Sequence, residues 1–104
     1  MRIYISGPIT GRPDEEYLRH FARAERFLKM QNFDPVNPAE INLTMPESTT
    51  HEQYMKVSIA ALETCDMIYM LKGWTHSEGA KQEFCRAAAL SMPCMYEEEI
   101  HGRH

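Results

Sequence analysis

The chain has 104 residues, 43% of them hydrophobic and 25% charged, with a formal net charge of -4. That length supports one compact domain with one core and no second, in a composition ordinary for a soluble globular protein. Acids in excess and no basic run make a nucleic-acid backbone an unexpected partner, and no apolar segment approaches the roughly 20 residues that span a bilayer.

Met1-Arg2 leads straight into a short strand, so no signal peptide is expected. Residues 2–6, Arg-Ile-Tyr-Ile-Ser, form that strand and end in Gly7-Pro8-Ile9-Thr10-Gly11. A glycine directly after a strand lets the backbone turn tightly and lets a ligand come close. GPxxG is not GxGxxG, however, and equally describes an ordinary strand–helix turn. Residues 14–31 follow as an amphipathic helix, with Tyr17, Leu18, Phe21, Ala24, Phe27 and Leu28 at helical spacing. Asp14, Glu15 and Glu16 fill its first turn, where the helix dipole favours negative charge, and take that structural role rather than a metal site. Residues 33–36, Phe-Asp-Pro-Val, read as a second strand whose proline suits a sheet edge.

Residues 37–49, NPAEINLTMPEST, show neither period and are expected to be a long loop, either a substrate wall or lid or a plain connection. Thr50 and Gln53 resemble a capping box, opening a helix with Tyr54, Met55, Ser58, Ala61 and Leu62 on one face. His51-Glu52 begins like HExxH, but Met55 stands where the second histidine belongs, so no zincin site exists. Cys65, Cys85 and Cys94 are odd in number and lack CxxC spacing, which argues against a disulfide framework or zinc and fits a reducing cytoplasm. The apolar run Met67-Ile68-Tyr69-Met70-Leu71 predicts a strand buried on both faces of a parallel sheet. Residues 72–76 break it. Ser77 is a good N-cap for a helix over residues 77–90, and Pro93 lies beyond its end. Residues 92–96 give a last strand, followed by a polar tail from about residue 97 with His101 and His104 solvated.

Strand and helix alternate throughout. That predicts an α/β three-layer sandwich with a short parallel sheet, flavodoxin- or Rossmann-like, with strand order 2-1-3-4. Ligands in such sheets bind at the switch point, here between strands one and three and outside their carboxyl ends. Residues 7–11, residues 72–76 and the helix beginning at Ser77 converge there, and that helix end suits an anion such as phosphate. Asp66 begins its strand, at the opposite edge of the sheet, and is read as structural.

Within residues 77–90, at about 100° per residue, Gly79, Ala80, Phe84, Ala87, Ala88 and Leu90 share one side of the helix. Glu83 falls inside this apolar arc, whereas Lys81, Gln82 and Arg86 fall outside it. A carboxylate facing a sheet must be paired, hydrogen-bonded or used. The alternative places Glu83 at the edge of the arc, where the helix dipole favours an acid.

YISGPITG at residues 4–11, NPAE at 37–40 and CDMIYMLKGWTHSEGAKQE at 65–83 resemble the nucleoside 2-deoxyribosyltransferase superfamily. They resemble more closely a branch of short domains within it, often phage- or prophage-borne. The resemblance covers nearly the whole chain up to Pro93, and its specific parts are the GP turn and the SxGxxxE stretch ending at Glu83. It implies retaining glycoside chemistry on a (deoxy)nucleoside or its 5′-monophosphate, with Glu83 as the nucleophile that expels the base and holds a glycosyl ester. Tyr4 matches the tyrosine that orients the nucleophile. Ser77, six residues before Glu83, matches the serine that helps hold a 5′-phosphate in the nucleotide-hydrolase branch. Gly7, Pro8 and Gly79 are implied as substrate-binding residues.

The chain also departs from the pattern. Ser58 stands where characterised enzymes carry an aspartate near the leaving base, and it cannot act as a carboxylic acid. Thr10 stands where the hydrolases carry an arginine, though Arg12 is near. The C-terminal segment that reaches a neighbouring subunit's site in longer enzymes is missing or very short. Trp74, by stacking on the base, or His76, as a proton donor, would compensate; the alternatives are a half-buried turn aromatic and a solvated turn histidine. No metal or redox cofactor is implied, and the partners are a small-molecule nucleoside or nucleotide and further copies of the chain, as a dimer or higher homo-oligomer. Two other functions stay open: a nucleotide-binding or regulatory protein that kept the pocket without the chemistry, and an NAD- or ADP-ribose-cleaving relative.

Overall fold

In the computed structural model, which describes residues 1–97, strands and helices alternate along the chain. In order they are β1 (Arg2–Ser6), α1 (Asp14–Met30), β2 (Asp34–Val36), α2 (Pro38–Asn42) and α3 (His51–Leu62). There follow β3 (Met67–Met70), a single 3₁₀ turn (Trp74–His76), α4 (Glu78–Ala89) and β4 (Cys94–Tyr96). The four strands form one parallel sheet in the order β2-β1-β3-β4, as the alternation predicts. Pro35 lies on the edge strand β2, where its missing N–H disrupts least.

The side-chain alternation of β1 divides the core in two. Ile3 and Ile5 pack with Phe21, Ala24 and Leu28 of α1, joined by Tyr69 and Leu71. Tyr4 points the other way and packs with Leu62, Ile68, Met70, Ala80 and Ala87, beneath α3 and α4. Ile68, Tyr69 and Met70 are almost fully buried, so β3 has no solvent face, as its unbroken apolar run requires. Burying each such large apolar side chain stabilises the fold by about 1.5–3 kcal/mol. The layers are therefore helix, sheet, helix.

The helix starts follow local chemistry. Thr50 Oγ1 accepts from Gln53 N at 3.1 Å while Gln53 Oε1 accepts from Thr50 N at 2.8 Å, a complete capping box. Ser77 Oγ accepts from Ala80 N at 3.2 Å. At the amino end of the sheet, Asp66 Oδ2 accepts from Arg2 N at 2.9 Å, tying β1 to the start of β3.

Two expectations change. Residues 37–49 are not one loop, because Pro38–Asn42 form α2. Asn37 caps it by accepting from Ala39 N at 3.0 Å, and Pro38 occupies a first-turn position where a missing N–H is harmless. A five-residue helix has too few turns to show a period. The buried stripe of α4 is also narrower than its apolar arc, comprising Ala80, Glu83 and Ala87, while Ala88 and Leu90 are exposed. Glu83 is thus at the middle of the buried face and not at its edge. Among the described residues, no helix is long and apolar enough to cross a membrane. Residues 98–104, with His101, His104 and nearly all of the expected polar tail, lie outside the described residues.

Candidate functional site

Tyr4 and Ser6 are two residues apart on β1, so both point to the face covered by α4. Glu83, one helical turn after Gly79, comes down on that face between them. Tyr4 Oη donates to Glu83 Oε2 at 2.7 Å, and Ser6 Oγ donates to Glu83 Oε1 at 2.6 Å. Glu83 is only 6% exposed, and Tyr4 and Ser6 are fully buried. Each carboxylate oxygen thus has its own hydroxyl donor.

Burial pushes the Glu83 carboxyl up to about 7, against the opposing pull of the Ser6 and Tyr4 hydrogen bonds. Burial and the Glu83 charge also push the Tyr4 phenol well above its ordinary value, while a hydrogen bond from Ser58 opposes the rise. Tyr4 therefore remains a donor at neutral pH, and Glu83 exchanges its proton near neutrality. A buried acid shifted in this way, beside a cleft, marks a candidate working site.

Above this group opens a cavity of about 490 Å³, within the range of small-molecule sites. Glu83 forms part of its wall together with Gly7, Ser58, Ser77 and Gly79. A Cβ at Gly7 would lie 2.8 Å from Leu71 Cβ, so only glycine lets β1 turn this close to the end of β3. A Cβ at Gly79 would lie 3.2 Å from Met55 Sδ and 3.8 Å from His51 Cε1, inside the gap between α4 and α3. The site lies at the carboxyl ends of β1 and β3, where the strand order reverses.

A family model for DUF4406, a domain of unknown function, matches residues 1–96. The chain belongs to the DUF4406 family. Comparison with curated proteins gives no match. Among solved structures, this DUF4406 chain is similar to a 2-deoxyribosyltransferase from the psychrotolerant bacterium Bacillus psychrosaccharolyticus, with a TM-score of 0.73 and 22% identity. The match covers 92% of this chain and 71% of that one. At this identity the likeness establishes a shared α/β fold.

The DUF4406 fold brings together most, but not all, of the residues singled out from the sequence. Ser58 is buried on the cavity wall, near Tyr4. Ser77 lines the cavity while capping α4. Pro8 is buried beside the Gly73 turn, off the cavity wall. Trp74 is also off the wall: left-handed Gly73 (φ 93°) turns the chain, and the indole stacks on Phe84 at 4.8 Å. A second ring, Tyr96, lies 6.3 Å away on that side. His76 is exposed and likewise not on the wall. Arg12 forms an ion pair with Glu16 at 3.2 Å.

Several residues of the site were missed in sequence. Ser6, which lies behind the wall and bonds Glu83, carried a usable signal, its two-residue spacing from Tyr4. Asp14 and Tyr17 were assigned to a helix start and a core stripe, yet both line the cavity, because α1 begins at the carboxyl end of the sheet. Burial first, and then the adjoining Asp14 carboxylate, push the Tyr17 phenol up. Asn42, Met45 and Glu47 reach the wall from α2 and the segment after it, so this part of residues 37–49 is a cavity wall. Asn42 Oδ1 is buried there without a hydrogen-bond partner among the described residues. No cluster of three or more His, Cys, Asp or Glu side chains suited to a metal occurs among the described residues.

Proposed function

We propose that this DUF4406 protein cleaves or transfers the N-glycosidic bond of a (deoxy)nucleoside or its 5′-monophosphate through a glycosyl ester on Glu83. The supporting observation is a buried carboxylate held by two hydroxyl donors at the wall of a nucleoside-sized cavity. In the first step a Glu83 oxygen bonds to the anomeric carbon as the carbon–nitrogen bond breaks. The electron pair leaves with the base nitrogen, which takes a proton from water in the open cavity. In the second step water or another base attacks the anomeric carbon, giving up its proton to the hydroxide left by the first step, and the ester oxygen returns to carboxylate. This is retaining logic with one carboxylate as nucleophile.

Tyr4 fixes Oε2 and so orients the nucleophile, while Gly7, Ser58, Ser77 and Gly79 shape the space for sugar and base. Ser77 and the free N–H groups at the start of α4 suit a 5′-phosphate. Further, residues 1–104 are read as one domain of the short, often phage-borne kind, working as a homo-oligomer in the cytoplasm.

A second reading, a nucleotide-binding protein without turnover, is favoured by one observation. Ser58 offers no carboxyl to the leaving base. General acid help is typically worth about 10²–10⁴-fold in rate. Chromatographic detection of free base separates the two. The protein is incubated with deoxynucleosides, their 5′-monophosphates and NAD, beside Glu83→Ala. Base released by the wild type alone supports the enzyme. A ligand-dependent rise in Tm without release supports the binding protein, and release of nicotinamide would redirect both to NAD chemistry.

A further inference from the structure

We propose that Ser6 is a positioning residue for Glu83, holding Oε1 while Tyr4 holds Oε2, so that the carboxylate meets the cavity in a single orientation. This rests on the reading of Glu83 as nucleophile. Ser6 is fully buried and does not line the cavity, so it acts on a bound nucleoside only through Glu83. Its own place is rigid: Ser6 pairs with Met70 across β1 and β3, and its carbonyl accepts from Leu71 N at 2.8 Å. The close approach of Gly7 to Leu71 holds the next residue as well.

The terminal torsion of a glutamate is broad, so one hydrogen bond leaves its carboxylate free to swing. Two donors fixed on one strand, each at a different oxygen, define the plane of the group. Hydrogen bonds to an ionised oxygen are also stronger than neutral ones, so both hydroxyls favour the charged nucleophile. They serve each half of the reaction. When a Glu83 oxygen forms its bond to the anomeric carbon, the base leaves with the pair of the broken carbon–nitrogen bond. When water attacks that carbon, it gives up a proton to the solvent of the cavity, the ester carbon–oxygen bond breaks, its pair returns to the carboxylate, and the waiting hydroxyls receive the charge.

The test uses Ser6→Ala and Ser6→Cys, the second keeping the size of the side chain with a weaker donor. Carbon-13 carboxyl NMR of glutamate-labelled protein follows the Glu83 titration directly, assigned by its loss in Glu83→Gln. The other ionisable groups around Glu83 are Tyr4 of β1, which bonds it directly, and on the cavity wall Asp14 and Tyr17 from α1, His51 and Tyr54 from α3, and Glu47 from the segment after α2. All are retained in the variants, so a change in midpoint belongs to Ser6.

In Ser6→Ala the midpoint rises by about one pH unit, a tenfold loss of ionised Glu83 on the acid side. The acid limb of kcat for base release moves by the same amount with KM little changed, and Ser6→Cys shifts less in the same direction. An unchanged midpoint in folded Ser6→Ala overturns the proposal; should that variant not fold, an unchanged midpoint in Ser6→Cys does so. If wild type releases no base from any nucleoside, the proposed function fails, and the NMR titration still decides the part played by Ser6.

Discussion

Replacing Glu83 with glutamine removes a buried ionisable group at almost no change in volume, and the consequence for stability has a definite sign. The carboxyl lies near 4.5 in an unfolded chain and is held at about 7 in the fold, chiefly by burial. Between those values the folded protein keeps a proton that the unfolded chain has released, so stability falls as pH rises through the window. Below about pH 4 both states are protonated and no penalty exists. Above about pH 7.5 the penalty is complete. The interval of about 2.5 pH units corresponds to about 3 kcal/mol as an order of magnitude.

Glu83→Gln lacks this term. Its amide must instead make one hydroxyl turn and accept, a pH-independent offset. Urea unfolding of both proteins, followed by Trp74 fluorescence from about pH 4 to 8.5, measures the difference, and every other titrating group cancels. The variant should gain on the wild type with rising pH by up to about 3 kcal/mol, or more than about 10 °C in Tm for a domain of this size. Parallel stability curves, or a variant that gains toward acid pH, would refute burial as the dominant influence on the Glu83 carboxyl.

Tyr4→Phe removes the donor to Oε2 and should lower kcat for base release by about 10–100-fold, the range expected for one hydrogen bond to a charged group. Steady-state kinetics with the folded variant check this. Gly7→Ala should destabilise by about 1–3 kcal/mol in denaturant unfolding, because its Cβ meets Leu71 Cβ at 2.8 Å. Trp74→Ala should lower Tm through loss of the stack on Phe84 while leaving KM for nucleoside unchanged, since the indole is off the cavity wall. A raised KM with unchanged Tm would instead put Trp74 on the base.

The sheet order was legible because alternation and crossover handedness leave few arrangements, and because β3 reads as an unbroken apolar run. Glu83 was visible as an acid in an apolar arc, but its place at the middle of the buried stripe depends on how closely α4 packs on the sheet. Local spacing does not contain that distance. Ser6 shows the same limit: period two puts it beneath α4 with Tyr4, yet its bond to Oε1 needs the helix placed above the strand. The direction of Trp74 is set by the left-handed backbone at Gly73, which a sequence shows only as a turn. Asp14 and Tyr17 satisfied simpler roles in a helix start and a core stripe, and only the tertiary fold carries them to the cavity.

The central claim is a covalent bond at Glu83, and mass spectrometry of the acid-quenched protein tests it most directly. After incubation with deoxynucleosides or their 5′-monophosphates, the wild type should gain the mass of one sugar, or sugar phosphate, on the peptide containing Glu83. Glu83→Gln should gain none. Base release without any adduct, or an adduct on another residue that persists in Glu83→Gln, would contradict the assignment of Glu83 as nucleophile.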